Sequence, residues 1–210
     1  MHLFVTGTDT NIGKTLVSIG FAFSLHRKYW KPVQSGTKVL TDSEKATQQL
    51  GLSRVIPEFY RLKNPLSPHL ASKQDGVQIS VQKILEFSKK ISEPLIIEGS
   101  GGILVPLNEK ELVVDLIKGL NCLSIVVARS TLGTINHTLL TLEAMRSRDL
   151  KLGGVVLVGP PNLENKLAIE KYGATQIIAE VPWFEGSDDF VSKKLLNYFI
   201  RKKDEKWNYL

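Results

Sequence analysis

The sequence has a single cysteine, Cys122, among its 210 residues. One cysteine forms no intrachain disulfide and supplies too few thiolates for a cysteine-based zinc site, so both are excluded. Apolar runs of about 18 residues, the length that a membrane-spanning helix needs, are also absent. No charged segment precedes an apolar one at the amino terminus, as a signal peptide requires. We therefore expect a cytoplasmic protein that has no membrane partner.

A concentrated basic patch is missing as well. The formal net charge is +6, but the densest basic cluster, at residues 201–206, also contains Asp204 and Glu205. A cluster of mixed sign is typical of a solvated helix end rather than of a nucleic-acid interface. We predict no nucleic-acid partner, and we expect the excess of positive charge to suit a small anionic substrate such as a nucleotide.

Short apolar runs alternate with helical patterns along the whole chain. Apolar content of 42% and charged content of 23% are ordinary for a globular protein, and the length predicts a single domain over residues 1–210. Strands that are apolar throughout favour a parallel sheet covered on both faces. We therefore predict an α/β fold with a doubly wound, mostly parallel sheet and right-handed β-α-β units.

The patterns also give element boundaries. Strands are predicted at 3–5, 94–97, 123–128, 154–158 and 176–181, with a short extended piece at 29–33. Helices are predicted at 16–25, 41–50, 80–91, 112–120, 134–145, 163–172 and 189–201. Residues 34–40 and 99–102 are predicted as loops, and residues 53–75 as irregular because they contain three prolines.

A phosphate-binding loop is predicted directly after the first strand. Gly7 begins a turn-rich segment that ends in Gly13-Lys14-Thr15 at the start of a helix. Backbone N–H groups in such a loop cradle phosphates, the lysine reaches the outer phosphates and the hydroxyl binds Mg²⁺. Five residues separate the glycines here, whereas the general motif has four. The alternative is an ordinary strand-to-helix turn, but the position favours a fold of the P-loop NTPase type.

Other polar residues lie where predicted strands end, which is where ligands bind in such sheets. Lys31 is placed to neutralise a transferring phosphoryl group, or it is a solvated surface lysine. Glu98 is placed to hold Mg²⁺, or it is a capping or salt-bridged acid. Asp42 supplies a second carboxylate to the metal or caps its own helix; spacing alone favours neither.

Two further stretches are candidates for binding substrate. Gly133 and Thr134 precede a helix, so their free N–H groups suit a carboxylate, although an ordinary helix start explains them too. His69 lies in a predicted loop, where it binds substrate or is simply exposed. No Ser/His/Asp triad is indicated by the order or context of these residues.

Together these motifs resemble the dethiobiotin synthetase family. The match is carried by residues 5–15, 31–36, 67–69, 98–102 with 106–107, 132–137 and 180–183, in that order along the chain. The five-residue spacing in the loop, which is awkward for the general motif, is what this family looks like. The combination is far more specific than Gly-Lys-Thr alone.

The resemblance implies an ATP-dependent ligase that acts as a homodimer in biotin biosynthesis. The implied substrates are ATP, CO₂ or bicarbonate, and 7,8-diaminopelargonic acid, with Mg²⁺ as cofactor. It implies Lys31 and Lys14 as catalytic residues, Thr15, Asp42 and Glu98 as metal ligands, and Ser35 with Gly133, Thr134, Ile135 and Asn136 of the second subunit as the substrate site. The implied nucleotide contacts are Thr10, Asn11, Ile12, Gly13, Lys14, Thr15, Leu16, Glu98, Gly99, Ser100, Gly101, Pro182, Trp183 and Phe184.

The sequence departs from the family pattern in three places. Val158-Gly159-Pro160 stands where the family commonly has Asn-Asp, whose asparagine reads adenine. Recognition of the base then falls to the backbone or to residues 182–184, and we expect weaker discrimination between ATP and GTP than is usual. Asn11 replaces a common glutamate, and the loop between Gly36 and Asp42 is short.

Two rival functions share this fold. One is a nucleotide-switched, partner-binding ATPase of the ParA or MinD type. Such proteins usually carry an extra lysine near the start of the loop, and residues 8–10 have none. The other is a different ATP-dependent ligase acting on a carboxylate or an amine. The stretches at 31–36 and 132–137 argue against it.

Overall fold

The structure, a computed structural model, describes residues 2–184 and, beyond them, Leu195, Tyr198 and Phe199. Within these residues the strands are β1 (Leu3–Gly7), β2 (Lys28–Trp30), β3 (Val33–Ser35), β4 (Val55–Ile56), β5 (Tyr60–Leu62), β6 (Leu95–Gly102), β7 (Leu123–Arg129), β8 (Leu152–Val158) and β9 (Ile177–Val181). The helices are α1 (Lys14–Ser24), α2 (Asp42–Leu50), α3 (Pro68–Gln74), α4 (Val81–Ser88), α5 (Val113–Leu120), α6 (Thr134–Arg146) and α7 (Leu163–Gly173).

The central sheet is parallel and places β1 in its middle. Its seven strands follow the order β4-β2-β6-β1-β7-β8-β9, and every neighbouring pair is parallel. The chain therefore winds first to one side of β1 and later to the other. In open sheets of this kind the ligand crevice lies at the carboxyl end of the strand where the direction of winding reverses, here β1. The predicted doubly wound α/β fold is confirmed.

Each face of the sheet carries its own apolar core. Successive strand residues point to opposite faces, so that Phe4, Trp30 and Ile97 lie in one core. Tyr29 and Ile96 lie in the other. Strands covered on both faces need apolar residues at every position, which explains why β1 and most of β7 and β8 are buried throughout.

The prediction that residues 53–75 are irregular is wrong. This segment contains a 3₁₀ turn (Leu52–Arg54), β4, β5 and α3. Strands of two or three residues are too short to show a period in the sequence. Pro68 occupies the first turn of α3, where a missing N–H costs nothing. Gln34 and Ser35, predicted to be in a loop, pair with β5 in a separate two-stranded sheet.

The glycine run at residues 99–102 is not a loop, as predicted, but the second half of β6. A Cβ on Gly99 would lie 2.8 Å from the Phe4 ring, and one on Gly102 would lie 3.3 Å from the carbonyl oxygen of Gly7. The glycines therefore let β6 run close beside β1 and its following loop. Here a glycine-rich sequence reflects a close approach of two strands rather than a turn.

A capping box formed by Thr41 and Glu44 begins α2, where the sequence predicts a helix start. The Thr41 hydroxyl accepts a hydrogen bond from the amide of Glu44 at 3.1 Å, and the Glu44 carboxylate accepts one from the amide of Thr41 at 2.8 Å. Because this box fixes where α2 begins, it also fixes the position of Asp42, the first residue of the helix.

Most of the helix predicted at 189–201 lies outside the described residues. Leu195, Tyr198 and Phe199 are helical, and the Phe199 ring packs on Phe21 of α1 with 4.8 Å between ring centroids. The prediction of a single domain over residues 1–210 stays a prediction. None of the helices within the described residues is long and apolar enough to span a membrane.

Cys122 precedes β7 and is 3% exposed. Burial raises the pKa of its thiol to about 12. The thiol therefore stays protonated at neutral pH, and it has the character of a small core residue rather than of a nucleophile.

Candidate active site

The segment between β1 and α1 forms a tight turn. Gly13 has φ +94°, and a Cβ there would lie 3.0 Å from the Val158 side chain. Both the backbone angle and the space therefore require glycine. No side chain caps the start of α1, so its first amides are free of a side-chain acceptor. Free amides at a helix start are what the predicted phosphate-binding loop requires, and their contact with phosphate stays a prediction.

Lys14 folds back over this loop. Its Nζ donates to the carbonyl oxygen of Asp9 at 2.7 Å, and the residue is only 6% exposed. Burial, only partly opposed by the attraction of Glu98 and Asp42, lowers the pKa of Lys14 to about 8. A nearby phosphate would favour the charged form, so an anionic ligand strengthens the positive charge of this side chain.

Four predicted site residues meet at the crevice: Thr15 in α1, Lys31 after β2, Asp42 at the start of α2 and Glu98 within β6. We call them the charged cluster. The Lys31 ammonium lies 2.5 Å from Asp42 Oδ2 and 2.9 Å from Glu98 Oε1. The Thr15 hydroxyl donates to the same Glu98 oxygen at 3.0 Å. Lys31 is 6% exposed and is therefore not a solvated surface lysine.

Charge pairing inside the cluster outweighs the cost of burial. Burial alone lowers the pKa of Lys31, but the carboxylates of Glu98 and Asp42 more than compensate and hold that pKa above its usual value. For Asp42, burial raises the pKa, and the Lys31 charge overcomes it, so the pKa is lowered. Lys31 and Asp42 are therefore both charged at neutral pH. Removing one partner of such a pair leaves a buried charge without compensation.

The cluster offers only oxygen donors to a metal. They are the Thr15 hydroxyl and the Asp42 and Glu98 carboxylates, and hard oxygen donors of this kind suit Mg²⁺. The described residues contain no group of three His, Cys, Asp or Glu side chains able to hold a metal ion. A bound Mg²⁺ would therefore take its remaining ligands from phosphate oxygens and water, as is usual for this ion.

The glycine-rich end of β6 adjoins the phosphate loop. A Cβ on Gly101 would lie 3.7 Å from the Thr10 hydroxyl. Ser100 turns away, because its hydroxyl donates to the carbonyl oxygen of Val33 at 2.7 Å. The predicted nucleotide contacts at 10–16 and 98–101 thus lie on adjoining segments, and their contact with a nucleotide stays a prediction.

Among the described residues, the predicted substrate residues make no direct hydrogen bond to the charged cluster. Ser35 is linked to it indirectly, because the Gln34 side chain donates to the Ser35 carbonyl oxygen at 2.7 Å and accepts from the Asp42 amide at 3.3 Å. Ser35 in β3 has a buried hydroxyl without a partner among the described residues. Gly133 has φ +90° and begins α6 without a side-chain cap. Thr134 is buried, Ile135 is half-buried and Asn136 is exposed. The start of α6 is therefore accessible to another molecule.

The residues predicted to bind the nucleotide base, at the end of β9, are partly or largely exposed. Trp183 follows β9 and is 54% exposed, whereas the Val158 side chain is buried against Gly13. Pro182 and Phe184 are half-buried. Asn165 of α7 is a side-chain amide nearby in the fold, but it donates to the carbonyl oxygen of Ser130 at 2.9 Å. Which of these groups touches a base stays a prediction.

His69 was predicted to lie in a loop, but it lies in α3. Its Nδ1 is buried and has no partner within the described part of the chain. The residue lines a cleft of about 760 Å³ between α3 and residues 108–111. No hydrogen bond in the described region joins His69 to the charged cluster.

Two site residues, Tyr29 and Arg129, were missed by the sequence reasoning. The buried Tyr29 hydroxyl donates to Glu98 Oε2 at 2.8 Å, and Arg129 pairs with Asp9 of the phosphate loop at 2.5 Å. Burial and the adjacent Glu98 raise the pKa of Tyr29 well above its usual value, so it is a hydrogen-bond donor at neutral pH. Arg129 ends β7, and the rule that ligands bind at strand ends was a signal for it. For Tyr29, only the register of the sheet shows the contact.

A glycine-bounded loop that leads from the central strand of a parallel sheet into an uncapped helix, with Lys14 and Thr15 at the helix start, is the arrangement of a nucleotide-binding protein of the P-loop class. Solved structures share this fold. The ParA family ATPase from Chlorobium tepidum has a TM-score of 0.60 and 12% identity, covering 93% of this chain and 97% of that one. The MinC:MinD cell division complex of Aquifex aeolicus has a TM-score of 0.57 and 15% identity, covering 92% and 86%. At such identities the likeness concerns the fold alone.

Sequence comparison gives the family. A family model described as an AAA domain matches residues 1–189. The ATP-dependent dethiobiotin synthetase BioD of Brucella ovis is 45% identical over 202 residues, which cover 95% of this chain and 93% of the relative. Its counterpart in Brucella abortus strain S19 is 44% identical over the same length. The chain belongs to the dethiobiotin synthetase family, which confirms the family prediction.

Proposed function

We propose that this chain uses ATP to carboxylate 7,8-diaminopelargonic acid with CO₂ and to close the ureido ring of dethiobiotin. Family membership supports the overall reaction. The observation that supports the site is the charged cluster, in which four distant stretches of sequence bring an ammonium, a hydroxyl and two carboxylates together beside the phosphate loop.

The nucleotide phosphates are assigned to the phosphate loop. The first amides of α1 and the Lys14 ammonium face the space after β1, and both favour anions. Thr15, Asp42 and Glu98 would hold Mg²⁺, which, when bound, neutralises charge on the phosphate oxygens. Phosphoryl transfer depends mainly on such positioning and neutralisation, and these residues supply both.

Lys31 is assigned the charge that develops on the transferring phosphoryl group. Its ammonium is held by Asp42 and Glu98 and stays protonated over the physiological pH range. A fixed cation in a site shielded from water stabilises a developing negative charge more strongly than a mobile one in solvent. The carboxylates therefore orient Lys31 for its role as well as binding metal.

The proposed reaction has three steps. One amine of the substrate adds to CO₂, loses a proton and becomes a carbamate. A carbamate oxygen then attacks the γ-phosphorus of ATP, ADP leaves, and a carbamic–phosphoric anhydride forms. The second amine attacks the anhydride carbonyl carbon, the C–O bond to phosphate breaks, and a proton is lost. Holding both amines beside one carbonyl makes the ring closure effectively unimolecular.

We assign the substrate carboxylate to the start of α6 in a second copy of the chain, giving a homodimer. The amide of Thr134, predicted to be free, donates to the carbonyl oxygen of Thr131 at 3.2 Å. The carboxylate is therefore assigned to the next amides of the uncapped helix start, those of Ile135 and Asn136. Four exposed leucines lie on or beside α6 and α7: Leu132, Leu140, Leu163 and Leu167, at 98%, 56%, 64% and 50% exposure. We call them the α6–α7 leucines. Because α6 and α7 contact each other, these leucines lie on or beside neighbouring helices, and we assign them to one apolar patch of the kind that marks an interaction surface. Ser35 is assigned to the substrate on the other side.

Base recognition is assigned to Trp183 and its neighbours. An exposed indole at the end of β9 stacks on any purine, and the buried Val158 side chain offers no hydrogen bond. This assignment makes GTP an acceptable substitute for ATP.

The test of the reaction is an incubation of the protein with 7,8-diaminopelargonic acid, bicarbonate, Mg²⁺ and ATP, followed by mass spectrometry. We expect dethiobiotin together with equimolar ADP and phosphate. ATP hydrolysis that proceeds without the diamine, and with no dethiobiotin formed, would contradict the proposed reaction. Such a result would favour the ATPase type that shares only the fold.

A further inference from the structure

Tyr29 is a fully buried polar residue in direct contact with the charged cluster. It lies on β2, is 0% exposed, and its hydroxyl is 2.8 Å from Glu98 Oε2. Glu98 itself is 1% exposed. The contact therefore joins two side chains that water does not reach, and there the hydrogen bond has more effect than at a surface.

The register of the sheet creates this contact. Tyr29 pairs with Ile96 across the parallel strands β2 and β6. Glu98 lies two residues beyond Ile96 and points to the same face. Diagonal neighbours of this kind are within reach of an aromatic side chain. Lys31, two residues beyond Tyr29, meets Glu98 on the same side.

Glu98 has a different task for each of its oxygens. Oε1 accepts from the Thr15 hydroxyl at 3.0 Å and from the Lys31 ammonium at 2.9 Å. Oε2 accepts from Tyr29. The tyrosine thus anchors the carboxylate on its buried side and leaves the other oxygen directed at the residues of the site. Without this donor, Oε2 would lose its hydrogen bond in a place where water does not replace it.

We propose that Tyr29 is a positioning residue: its hydroxyl sets the rotation of the Glu98 carboxylate and so directs Oε1 to the metal site. This inference rests on the proposed function of Glu98 as a Mg²⁺ ligand. Partners behind a metal-ligating side chain commonly change metal affinity about 10- to 100-fold. The competing explanation is that the hydroxyl only satisfies a buried carboxylate and contributes to folding.

The test compares Tyr29→Phe with the wild-type protein in two calorimetric titrations with AMP-PNP, one with Mg²⁺ and one with EDTA. The ratio of the two affinities is the gain from Mg²⁺. We expect Tyr29→Phe to lower this gain at least about tenfold. Its affinity without metal should stay within about twofold, because the phosphate loop and Lys14 are unaltered. A role in folding alone leaves the ratio unchanged.

Tyr60→Phe is the matched control. It makes the same chemical change at a tyrosine whose hydroxyl accepts from the amide of Ser80 at 3.1 Å, and not from a site residue. We expect it to keep the full gain from Mg²⁺. As a rescue, 4-aminophenylalanine at position 29 restores an N–H donor on a ring of the same size, and it should recover most of the gain.

The possible outcomes separate this inference from the proposed function. A wild-type protein with no gain from Mg²⁺ would refute the metal assignment itself, and the inference with it. A normal wild-type gain that Tyr29→Phe retains would overturn the inference alone, even if the variant melts at a lower temperature. If Tyr29→Phe does not fold, the titrations use a protein with 4-fluorophenylalanine at position 29, which fills the place of the hydroxyl but offers no donor to Glu98. A reduced gain from Mg²⁺ in this protein supports the inference, and an unchanged gain overturns it.

Discussion

The two halves of the sheet edge that carries the site are built differently. At the ends of β1, β2 and β6, ionic side chains are buried and paired with each other, as in the Lys31, Asp42 and Glu98 group. At the ends of β7 and β9, by contrast, the candidate binding groups are exposed: Asn136 at the start of α6, and Trp183. Within one chain, the groups proposed for phosphoryl transfer are already in contact with each other. The groups assigned to the substrate carboxylate and to the nucleotide base are exposed to solvent, where a ligand or a second subunit reaches them.

We call the buried, ion-paired half of the site, at the ends of β1, β2 and β6, the closed half, and the exposed half, at the ends of β7 and β9, the open half. The largest effect should come from disrupting the closed half. Lys31→Ala removes the ammonium that contacts both Asp42 and Glu98, so we expect turnover to fall about 100- to 1,000-fold. Stability should fall by about 3 kcal/mol, because two carboxylates lose their buried partner. Dethiobiotin formation and urea unfolding measure the two effects. Lys28→Ala, which removes a partly exposed lysine paired with Glu93, is the control and should change neither appreciably.

The open half should be most sensitive to a charge among the α6–α7 leucines. Leu140→Asp puts a carboxylate on the surface assigned to the dimer, and we expect the dissociation constant of the dimer to rise about 10- to 100-fold. Light scattering after size-exclusion chromatography measures it. Leu52→Asp, at a residue 78% exposed beside the opposite edge strand β4, should leave the dimer intact. A wild-type protein that is monomeric at all concentrations would contradict the dimer.

Lys14 gives the closed half a pH dependence of predictable sign. Its pKa of about 8 lies below the usual 10.5, so between these values the free protein has lost a proton that the phosphates require. We expect affinity for metal-free ATP to fall up to about tenfold per pH unit above pH 8. The free energy of unfolding should instead rise between about pH 8 and pH 10.5, because in this range the unfolded chain binds more protons than the folded one.

Titration calorimetry and urea unfolding, both between pH 7 and 10, measure these two trends. Lys14→Met is the control, since it removes the titrating group, and both slopes attributed to Lys14 should disappear. An ATP affinity that is flat up to pH 10 in the wild-type protein would refute this prediction.

The smallest effect should be on recognition of the nucleotide base. Because Val158 offers no hydrogen bond and Trp183 stacks on either purine, we expect ATP and GTP affinities to differ less than about tenfold. Trp183→Ala should weaken both by a similar factor of about five, the lower end for loss of one stacking contact. A strong preference for ATP in the wild-type protein would show that another group, such as Asn165, reads the base.

The sequence predicted the parts of this site that depend on local order. Lys14 and Thr15 are set by one loop, and Glu98 follows an apolar run, so the rule for strand ends was enough to single them out. It was not enough for Tyr29, because its contact with Glu98 depends on which residues of β2 and β6 face each other. That register is a property of the folded sheet.

The same limit explains the errors in the fold. The glycines of β6 were interpreted as a loop because glycine is common in turns, whereas here they allow a close approach to Phe4 and Gly7. β4 and β5 were missed because strands of two or three residues have no measurable period. What depends on contacts between distant segments cannot be seen along the chain.

The buried cysteine makes this protein convenient to label. Cys122 is the only cysteine in the chain, it is 3% exposed, and its pKa is raised to about 12. Thiol reagents at neutral pH therefore find almost no thiolate in the folded protein. A cysteine introduced at Leu132 or Trp183, both exposed, would be the single reactive site. Fluorescent probes placed there would report separately on subunit association and on nucleotide binding.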